Sequence, residues 1–163
     1  MALRALISKV LLLGMLGLGL AACAGDTGRL GKSVAGNNAA PGTVEDFTLN
    51  VGDRVFFETD QSSLTNTARS TLQRQAAWLK TYPAVRVLIN GHADERGTRE
   101  YNIALGARRA SATRSYLISL GVSSKRVRVN SFGKERPVAT CDNISCWSQN
   151  RRAVTSVKGA ASS

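Results

Sequence analysis

The sequence predicts a mixed α/β sandwich (α+β in its layering) of order β-α-β-α-β-β, with two helices packed on one face of a mixed sheet. Three observations lead to this class. Short segments alternate apolar and polar residues, two longer segments carry apolar residues at helical spacing, and the two kinds follow one another in turn. With 163 residues, 43% of them hydrophobic, the chain can form one folded domain with extensions.

The first residues indicate export from the cytoplasm. Arg4 and Lys9 give a positively charged start, and residues 10–20 are an uninterrupted run of apolar residues and glycine. This is the pattern of a secretory signal peptide, and the run is too short to remain as a permanent membrane span. Residues 1–22 are therefore predicted to be a signal peptide.

The end of this signal carries a second feature. Residues 20–23, Leu-Ala-Ala-Cys, resemble a bacterial lipobox, in which cleavage leaves Cys23 as a lipidated first residue. Acyl chains on that cysteine would anchor the protein stably. Ala24 follows instead of an aspartate, which favours the outer membrane over the inner one. The alternative is an ordinary signal peptide cut after Ala22, with a free cysteine.

The segment after the cysteine differs in composition from the rest. Residues 23–45 are rich in glycine, alanine, asparagine, threonine and serine, which predicts a flexible tether, and the domain is expected to occupy residues 46–163. Removing the signal peptide takes away Arg4 and Lys9 and no acid, so the formal charge falls from +11 to +9. Such a charge favours acidic partners: cell-wall polymers, anionic lipids or nucleic acid.

The first half of the domain is predicted to contain a strand and a helix. Residues 47–51 alternate and are expected to be extended, Gly52-Asp53 forms a turn, and residues 54–57 form the first strand of the sheet. Thr65 is a suitable N-cap for a helix that runs to about residue 81. Tyr82-Pro83 ends this helix, because the residue before a proline is pushed out of helical geometry.

The second half supplies the remaining elements. Strands are predicted at residues 85–90, 126–132 and 153–157, with a loop after Gly133, and a second helix runs from Arg99 to Leu120. Gly121 stands where a C-terminal capping glycine is expected. Gly106 lies in the middle of this helix and costs about 1 kcal/mol against alanine, so a close helix–sheet contact is expected there.

The most informative stretch lies between the second strand and the second helix. Residues 92–98, His-Ala-Asp-Glu-Arg-Gly-Thr, are followed by Glu-Tyr-Asn at residues 100–102. A strand end and a helix start hold exposed polar groups on a rigid base, so binding sites gather there. This run resembles the signature of OmpA-like peptidoglycan-binding domains. The resemblance covers residues 46 to about 158 and implies the same order of elements.

The resemblance also implies a binding site. In OmpA-like domains an aspartate at this strand end and a later arginine of the second helix bind the peptide stem of peptidoglycan, and these fall on Asp94 and Arg109. Asp60 matches in the loop after the first strand, and Arg96 matches as a residue at the rim. Thr59 stands where the family usually has an aromatic residue. Arg151 and Arg152 match a further, less certain pair of contacts.

The chemistry of the expected ligand fits these residue types. The side chain of diaminopimelate ends in an ammonium and a carboxylate on the same carbon. A carboxylate such as Asp94 would face the ammonium, and a guanidinium such as that of Arg109 would accept the carboxylate in bidentate fashion. The alternatives are structural: Asp94 could cap backbone amides in the turn, and Arg109 could be a surface residue paired with an acid.

No enzymatic function is expected, and no cofactor or metal. His92 is the only histidine, and it lies two residues from Asp94, but no Gly-x-Ser-x-Gly elbow accompanies it, so a structural role is favoured. The main alternative function is that of a cell-wall hydrolase or carboxypeptidase. Nucleic-acid binding is disfavoured, because aromatic residues make up only 6% of the chain and the export signal implies another compartment.

Two cysteines remain, Cys141 and Cys146, five positions apart in the last predicted loop. In an exported protein these are expected to form a disulfide, which on the chain-entropy account contributes roughly 2 kcal/mol. A zinc site is the alternative, but it needs two further ligands, and His92 is the only histidine that could supply one.

The resemblance to a lipoprotein branch of the OmpA-like family also implies partners. These are peptidoglycan, the outer membrane through the lipid anchor, and the Tol proteins, including periplasmic TolB, during envelope constriction. The domain would face the periplasm. TolB and peptidoglycan are expected to compete for one surface of it. A surface-exposed, adhesin-like lipoprotein is a further alternative.

Overall fold

The computed structural model describes residues 39–160, all of which belong to one compact unit. The predicted signal peptide (residues 1–22), Cys23 and most of the predicted tether lie outside the described residues. Within residues 39–160, no helix has the length and apolar character needed to cross a membrane.

The described part of the chain contains four α-helices and four strands. In chain order they are α1 Val44–Asp46, β1 Arg54–Phe56, α2 Asn66–Thr81, β2 Arg86–His92, α3 Arg99–Ser119, β3 Val127–Gly133, α4 Ile144–Asn150 and β4 Arg152–Lys158. A π-helical segment, Phe47–Gly52, continues α1, and a 3-10 turn, Ser124–Arg126, precedes β3.

The strands form one mixed sheet in the spatial order β1-β4-β2-β3. β2 and β3 run parallel, and β4 pairs antiparallel with both β1 and β2. The two long helices α2 and α3 cover one face, where the buried apolar side chains of both helices and of the strands form a single core. The predicted α+β sandwich and its β-α-β-α-β-β order of main elements are confirmed.

The ends of the two long helices follow from the capping residues in the sequence. The Thr65 hydroxyl accepts a hydrogen bond from the backbone N–H of Ala68 at 3.1 Å, which satisfies one of the free amides at the start of α2. Thr98 does the same for Tyr101 at the start of α3, at 3.2 Å. Gly121 has φ of +94° just after α3, as expected for a capping glycine.

A close contact between α3 and β2 explains the glycine in the middle of α3. The backbone of Gly106 lies directly on that of Gly91, so that a Cβ at Gly91 would overlap the Gly106 carbonyl oxygen. A Cβ at Gly106 would in turn collide with the Ser131 hydroxyl. The expected helix–sheet contact is therefore present, and it seats the start of α3 tightly against the ends of β2 and β3.

The expectation of an extended segment at residues 47–51 was wrong, because this segment is helical. Phe47 is 1% exposed and packs edge-on against the ring of Trp78, with 4.9 Å between ring centroids. Asp46 accepts a hydrogen bond from Trp78 Nε1 at 2.8 Å. These contacts require a helical turn, whereas Leu49, which a strand would have placed on the Phe47 face, is exposed. The Thr43 hydroxyl caps α1, so the packed chain begins a few residues before Asp46.

The last loop also contains structure that the sequence pattern did not predict. Helix α4, which was not predicted, interrupts it. The predicted disulfide is confirmed and joins Cys141 to Cys146, which lies within that helix. Asn143 caps α4 through its side-chain oxygen, which accepts from the backbone N–H of Ser145 at 3.0 Å. The disulfide and the cap stabilise α4 locally, and Trp147 of α4 contacts Glu95 and Arg96, which follow β2.

Candidate functional site

A polar cleft of about 270 Å³ opens where β2 ends and α3 begins. Three parts of the chain form its walls: the loop after β1, the loop between β2 and α3, and the first two turns of α3. Its lining residues are Thr59, Asp60, Asp94, Arg96, Gly97, Tyr101, Asn102 and Leu105. Three of the four predicted peptidoglycan-binding residues, Asp60, Asp94 and Arg96, are therefore brought together here.

Asp94 lies at the base of the cleft and is 7% exposed. Its carboxylate accepts three hydrogen bonds from Arg96, from the backbone N–H at 3.2 Å, from Nε at 3.1 Å and from Nη2 at 2.8 Å. The Arg151 guanidinium contacts the same carboxylate at 3.5 Å. The backbone contact is the turn-stabilising role considered as an alternative, and it coexists with a position inside the cleft.

These contacts set the ionisation of Asp94. Burial acts to raise the pKa of its carboxyl, but the hydrogen bonds from Arg96 outweigh burial, and Arg151 adds to them, so that the pKa lies below its usual value. The cleft therefore keeps a negative charge at its base under all neutral and mildly acidic conditions.

Arg96 forms the rim of the cleft, as the resemblance implied. Its guanidinium lies over the ring of Trp147 from α4, 4.2 Å from the ring centroid, in a cation–π arrangement. Trp147 is held in turn by a hydrogen bond from its Nε1 to the Glu95 carboxylate at 3.0 Å. Arg96 is thus fixed between a carboxylate and an aromatic face while its side chain stays 41% exposed.

Asp60 occupies the opposite lip of the cleft. It has φ of +57°, a left-handed conformation that aspartate tolerates better than most residues. The Tyr101 hydroxyl donates a hydrogen bond to its carboxylate, and this contact raises the pKa of Tyr101. Tyr101 is 44% exposed, so its ring forms an apolar wall that a ligand can contact directly.

Arg109, the fourth predicted contact, does not line the cleft. It is 0% exposed and lies beneath the cleft floor. Its guanidinium donates to three backbone carbonyls, those of Gln61 at 2.8 Å, His92 at 2.8 Å and Glu58 at 3.1 Å. The alternative of a surface residue is therefore excluded. Arg109 ties the loop after β1, which is one wall of the cleft, to the end of β2, where the loop that forms the second wall begins.

Burial affects the charge of Arg109 without removing it. Desolvation lowers the pKa of its guanidinium to about 10, and the negative charge of Asp94 partly opposes this effect. The side chain is therefore still protonated at neutral pH. A guanidinium has five N–H groups, and two of them remain after the three carbonyls are counted.

Two consecutive arginines, Arg151 just before β4 and Arg152 at its first residue, differ in their positions. Arg151 is 4% exposed and reaches the site, donating from Nε to the Phe57 carbonyl at 3.0 Å as well as contacting Asp94. Arg152 is equally buried but points away, donating to the carbonyls of Asn150 and Arg136 at 3.4 and 3.2 Å. Only Arg151 shares the electrostatic environment of the cleft.

His92 is a buried residue at the end of β2. It is 4% exposed, its ring lies 5.5 Å from that of Phe132, and it is not part of the cleft lining. Burial, with smaller contributions from Arg152 and Arg136, lowers its pKa to about 4. The imidazole is therefore neutral in the folded protein at pH 7.

This depressed pKa makes stability depend on pH. In the unfolded chain His92 binds a proton below about pH 6.5, whereas in the folded chain it does so only below about pH 4. The free energy of unfolding is therefore greatest above pH 6.5 and decreases as the pH falls from 6.5 to 4. We expect a loss of about 2 kcal/mol between pH 7 and pH 5 in urea unfolding. The variant His92→Gln should lose much less, since no other histidine is present. If the free energy of unfolding decreased equally with falling pH in wild type and in His92→Gln, the burial of a neutral imidazole would be contradicted.

Several cleft residues were not predicted from the sequence. Tyr101 and Leu105 lie eight and four residues before Arg109, so the helical spacing already places all three on one face of α3. Asn102 is buried and donates to the carbonyls of Arg96 and Thr98 at 2.7 and 3.0 Å, which fixes the turn. Trp147 had no local signal, because its position depends on the unpredicted α4.

Among the described residues, no cluster of three or more histidine, cysteine, aspartate and glutamate side chains could hold a metal ion. The groups that the cleft presents to a ligand are two carboxylates, a guanidinium at the rim and an aromatic wall, with the buried Arg109 nearby.

This combination of fold and site characterises a known class of proteins. The sequence pattern of the OmpA family matches residues 56–151. The chain is 58% identical to the peptidoglycan-associated lipoprotein of Agrobacterium fabrum over 151 residues, covering 89% of this chain and 85% of that protein. It is 61% identical to the peptidoglycan-associated lipoprotein of Mesorhizobium japonicum over 133 residues, covering 82% and 79%.

Solved structures agree with these sequence relationships. The crystal structure of the peptidoglycan-associated lipoprotein from Burkholderia pseudomallei is similar with a TM-score of 0.64 at 42% identity, covering 65% of this chain and 90% of that one. The C-terminal domain of Helicobacter pylori MotB shares the fold at 22% identity, with a TM-score of 0.62 over 67% of this chain and 86% of that one. The chain belongs to the OmpA family and, within it, to the peptidoglycan-associated lipoproteins.

Proposed function

We propose that this protein binds peptidoglycan noncovalently through the cleft, by recognising the zwitterionic end of diaminopimelate in the stem peptide. The observation that carries the proposal is the pairing of opposite charges within one cleft of about 270 Å³. Asp60 and Asp94 supply carboxylates, and Arg96 supplies a guanidinium beside them. A ligand head with one ammonium and one carboxylate matches this arrangement in both charge and size.

The ammonium would bind at the base of the cleft. The Asp94 carboxylate stays ionised because Arg96 and Arg151 hold its pKa low. Each of its two oxygens already accepts two hydrogen bonds, so the ammonium would take the place of the longest of these, from Arg151 at 3.5 Å. Asp60, on the opposite lip, provides a second carboxylate within the same opening. A positively charged head can therefore be held between two acids.

The carboxylate of the ligand would bind on the guanidinium side. Arg96 uses Nε and Nη2 on Asp94, which leaves Nη1 for a ligand at the rim. Arg109 lies under the floor with two N–H groups not engaged by its three carbonyl partners. We propose that Arg96 donates to the ligand carboxylate at the rim. Arg109 attracts the same carboxylate by its positive charge from beneath the floor, and donates an N–H to it if the carboxylate reaches that depth.

A stem peptide with lysine in place of diaminopimelate tests this recognition. Lysine keeps the ammonium but lacks the adjacent carboxylate, so the guanidinium side of the cleft would have no partner. In calorimetric titrations of residues 39–163, we expect a diaminopimelate-containing tripeptide to bind at least tenfold more tightly than its lysine counterpart, about 1.4 kcal/mol. Equal affinities for the two peptides would show that the cleft recognises only the ammonium group, and would contradict the zwitterion proposal.

The remaining parts of the proposal concern location and partners. We propose that Cys23 carries lipid in the outer membrane, that the domain faces the periplasm, and that membrane and wall are tied together as part of the Tol-Pal system in envelope integrity and cell division. Membership of the peptidoglycan-associated lipoproteins supports this. A hydrolase or carboxypeptidase has no comparable support, because the relatives named above are peptidoglycan-associated lipoproteins. A histidine-based mechanism in the cleft is also disfavoured, since the only histidine, His92, is buried and does not line it.

TolB is proposed to dock over the same cleft and therefore to compete with the wall. The cleft is the polar concave surface that the family motif forms, so a protein partner that covers it would exclude the stem peptide. In pull-downs with immobilised residues 39–163, we expect captured TolB to decrease as the diaminopimelate tripeptide is added, and to stay bound with the lysine peptide. Undiminished capture at saturating tripeptide would place TolB on another surface.

A further inference from the structure

A second cavity, of about 450 Å³, lies at the end of the sheet opposite the cleft, around the start of β2. Its floor is formed by Val87 and Leu88. Five cationic residues surround it and are called the basic patch here: Arg86, Lys125, Arg126, Arg128 and Lys158. They come from three adjacent strands and the turn before β3, so the fold, not the sequence order, brings them together.

The basic patch has no counter-charge of its own. Within residues 39–160, none of the five cations forms an ion pair with a carboxylate. Arg86 of β2 and Lys158 of β4 are direct cross-strand partners, and like charges in such positions destabilise a sheet. An arrangement that costs stability and is not neutralised within the domain points to an anionic partner.

One member of the patch is held rigidly. The Arg126 guanidinium donates to the carbonyls of Val85, Leu79 and Tyr82 at 2.8, 3.0 and 2.8 Å. The other four cations are exposed and have long side chains that can adapt to a surface. The patch therefore combines a fixed charge with flexible ones around an apolar floor, which suits a broad anionic surface.

The point where the tether joins the domain lies at this same end. Pro41 and Gly42 line a shared pocket with Val85 and Gly159, the residues adjacent in sequence to Arg86 and Lys158. Ala39 is 16 residues from Cys23. The flexible tether that composition predicts for residues 23–45 would span roughly 22 Å between Cys23 and Ala39, and this would keep the patch close to the membrane.

We propose that the basic patch binds the anionic phospholipid headgroups of the membrane that holds the lipid anchor. The proposal rests on the anchor at Cys23 and not on the binding of peptidoglycan. Arginine and lysine near an anionic leaflet are attracted to it, and arginine forms bidentate contacts with phosphate. A basic surface is a second attachment signal that adds to an acyl anchor.

This binding would orient the domain. β2 runs from the basic patch to the cleft, and its seven residues span about 20 Å. With the patch on the leaflet, the cleft faces away from the membrane, where the wall lies. β2 thus connects the end of the domain that would face the membrane to the end that carries the cleft.

Vesicle flotation of residues 39–163, without lipid, tests the proposal independently of both the anchor and peptidoglycan. This part of the chain forms a compact unit with its own core, and the similar Burkholderia pseudomallei structure covers a comparable domain. Vesicles of phosphatidylcholine with 30% phosphatidylglycerol are compared with pure phosphatidylcholine at low and high salt. We expect binding only to the anionic vesicles, weakening as salt screens the charges.

Two double variants with the same change of charge separate the patch from net charge. Arg86→Gln/Arg128→Gln removes two patch cations, and Arg69→Gln/Arg74→Gln removes two exposed arginines of α2. We expect the patch variant to lose binding tenfold or more and the α2 variant to stay close to wild type, with both folded by circular dichroism.

Three results would overturn the proposal. One is equal binding of wild type to neutral and anionic vesicles, or no binding to either. Another is an equal loss in the two double variants, which would show that net charge alone acts. The third is a patch variant that keeps vesicle binding but loses capture on polyglutamate beads, which would make an acidic protein segment the occupant.

Discussion

Replacing Arg109 by alanine is expected to lower the free energy of unfolding by about 3 kcal/mol or more, measured by urea denaturation of residues 39–163. The guanidinium is fully buried and satisfies the carbonyls of Glu58, Gln61 and His92. Without it, three acceptors lose their partners and a cavity opens under the cleft. The loop after β1 would also lose its tie to β2.

Two further variants identify the cause of this loss. Arg108→Ala, one position earlier in α3, removes the same charge from an exposed side chain that forms only a distant contact with the Tyr101 ring, and it should stay close to wild type. Arg109→Lys keeps the charge, but one ammonium cannot reach all three carbonyls, so an intermediate stability is expected. An Arg109→Ala variant as stable as Arg108→Ala would contradict the structural role of Arg109.

The structural role of Arg109 complicates any test of its proposed contact with the ligand. A variant that loses this side chain would lose ligand binding through a disordered cleft even if the guanidinium never touched the ligand. Asp94 is the better probe, because its amide analogue keeps the shape of the side chain and can still accept from Arg96. Binding losses in Arg109 variants are informative only when stability is measured beside them.

The main helices and strands could be predicted because residues close to their ends in the sequence determine where they begin and end. Thr65 and Thr98 cap the two long helices, Pro83 ends the first, and Gly121 ends the second. Each signal involves neighbouring residues only, and tertiary packing did not override it. Gly106 was also informative, since a costly residue in mid-helix implied the close contact that the structure shows.

Elements that depend on distant partners could not be predicted in this way. The alternation in residues 47–51 matched a strand, but the packing of Phe47 on Trp78 and the hydrogen bond from Trp78 to Asp46 favour a helical turn. Helix α4 is seven residues long and is supported by a disulfide, and so short a helix leaves little periodic signal.

For the site, residue types were easier to predict than their environments. Asp94 and Arg96 lie in one cleft because a strand end and the start of the following helix determine where they are, and Asp60 joins them from the loop after β1. Their binding of a ligand stays a prediction. The motif did not show that Arg109 is buried, because the carbonyls that surround it come from loops whose path depends on the whole fold. Nor did it show that Trp147 supports the rim.

Asp94→Asn is expected to reduce binding to peptidoglycan at least tenfold. The substitution removes the negative charge that would face the ligand's ammonium, and a hydrogen bond to a charged group contributes about 1.5–3 kcal/mol. Glu45→Gln is the matched control, because it also replaces a carboxylate by an amide. Glu45 is exposed on α1, which packs beside the C-terminal end of α2 and away from the cleft.

Co-sedimentation of residues 39–163 with purified sacculi, at a fixed physiological salt concentration, tests the central claim most directly. All three proteins are first shown to be folded by thermal unfolding. The account predicts that wild type and Glu45→Gln pellet with the wall, while Asp94→Asn remains in solution. If folded Asp94→Asn pellets as wild type does, or if folded wild type stays in solution, the cleft is not the peptidoglycan-binding site of this protein.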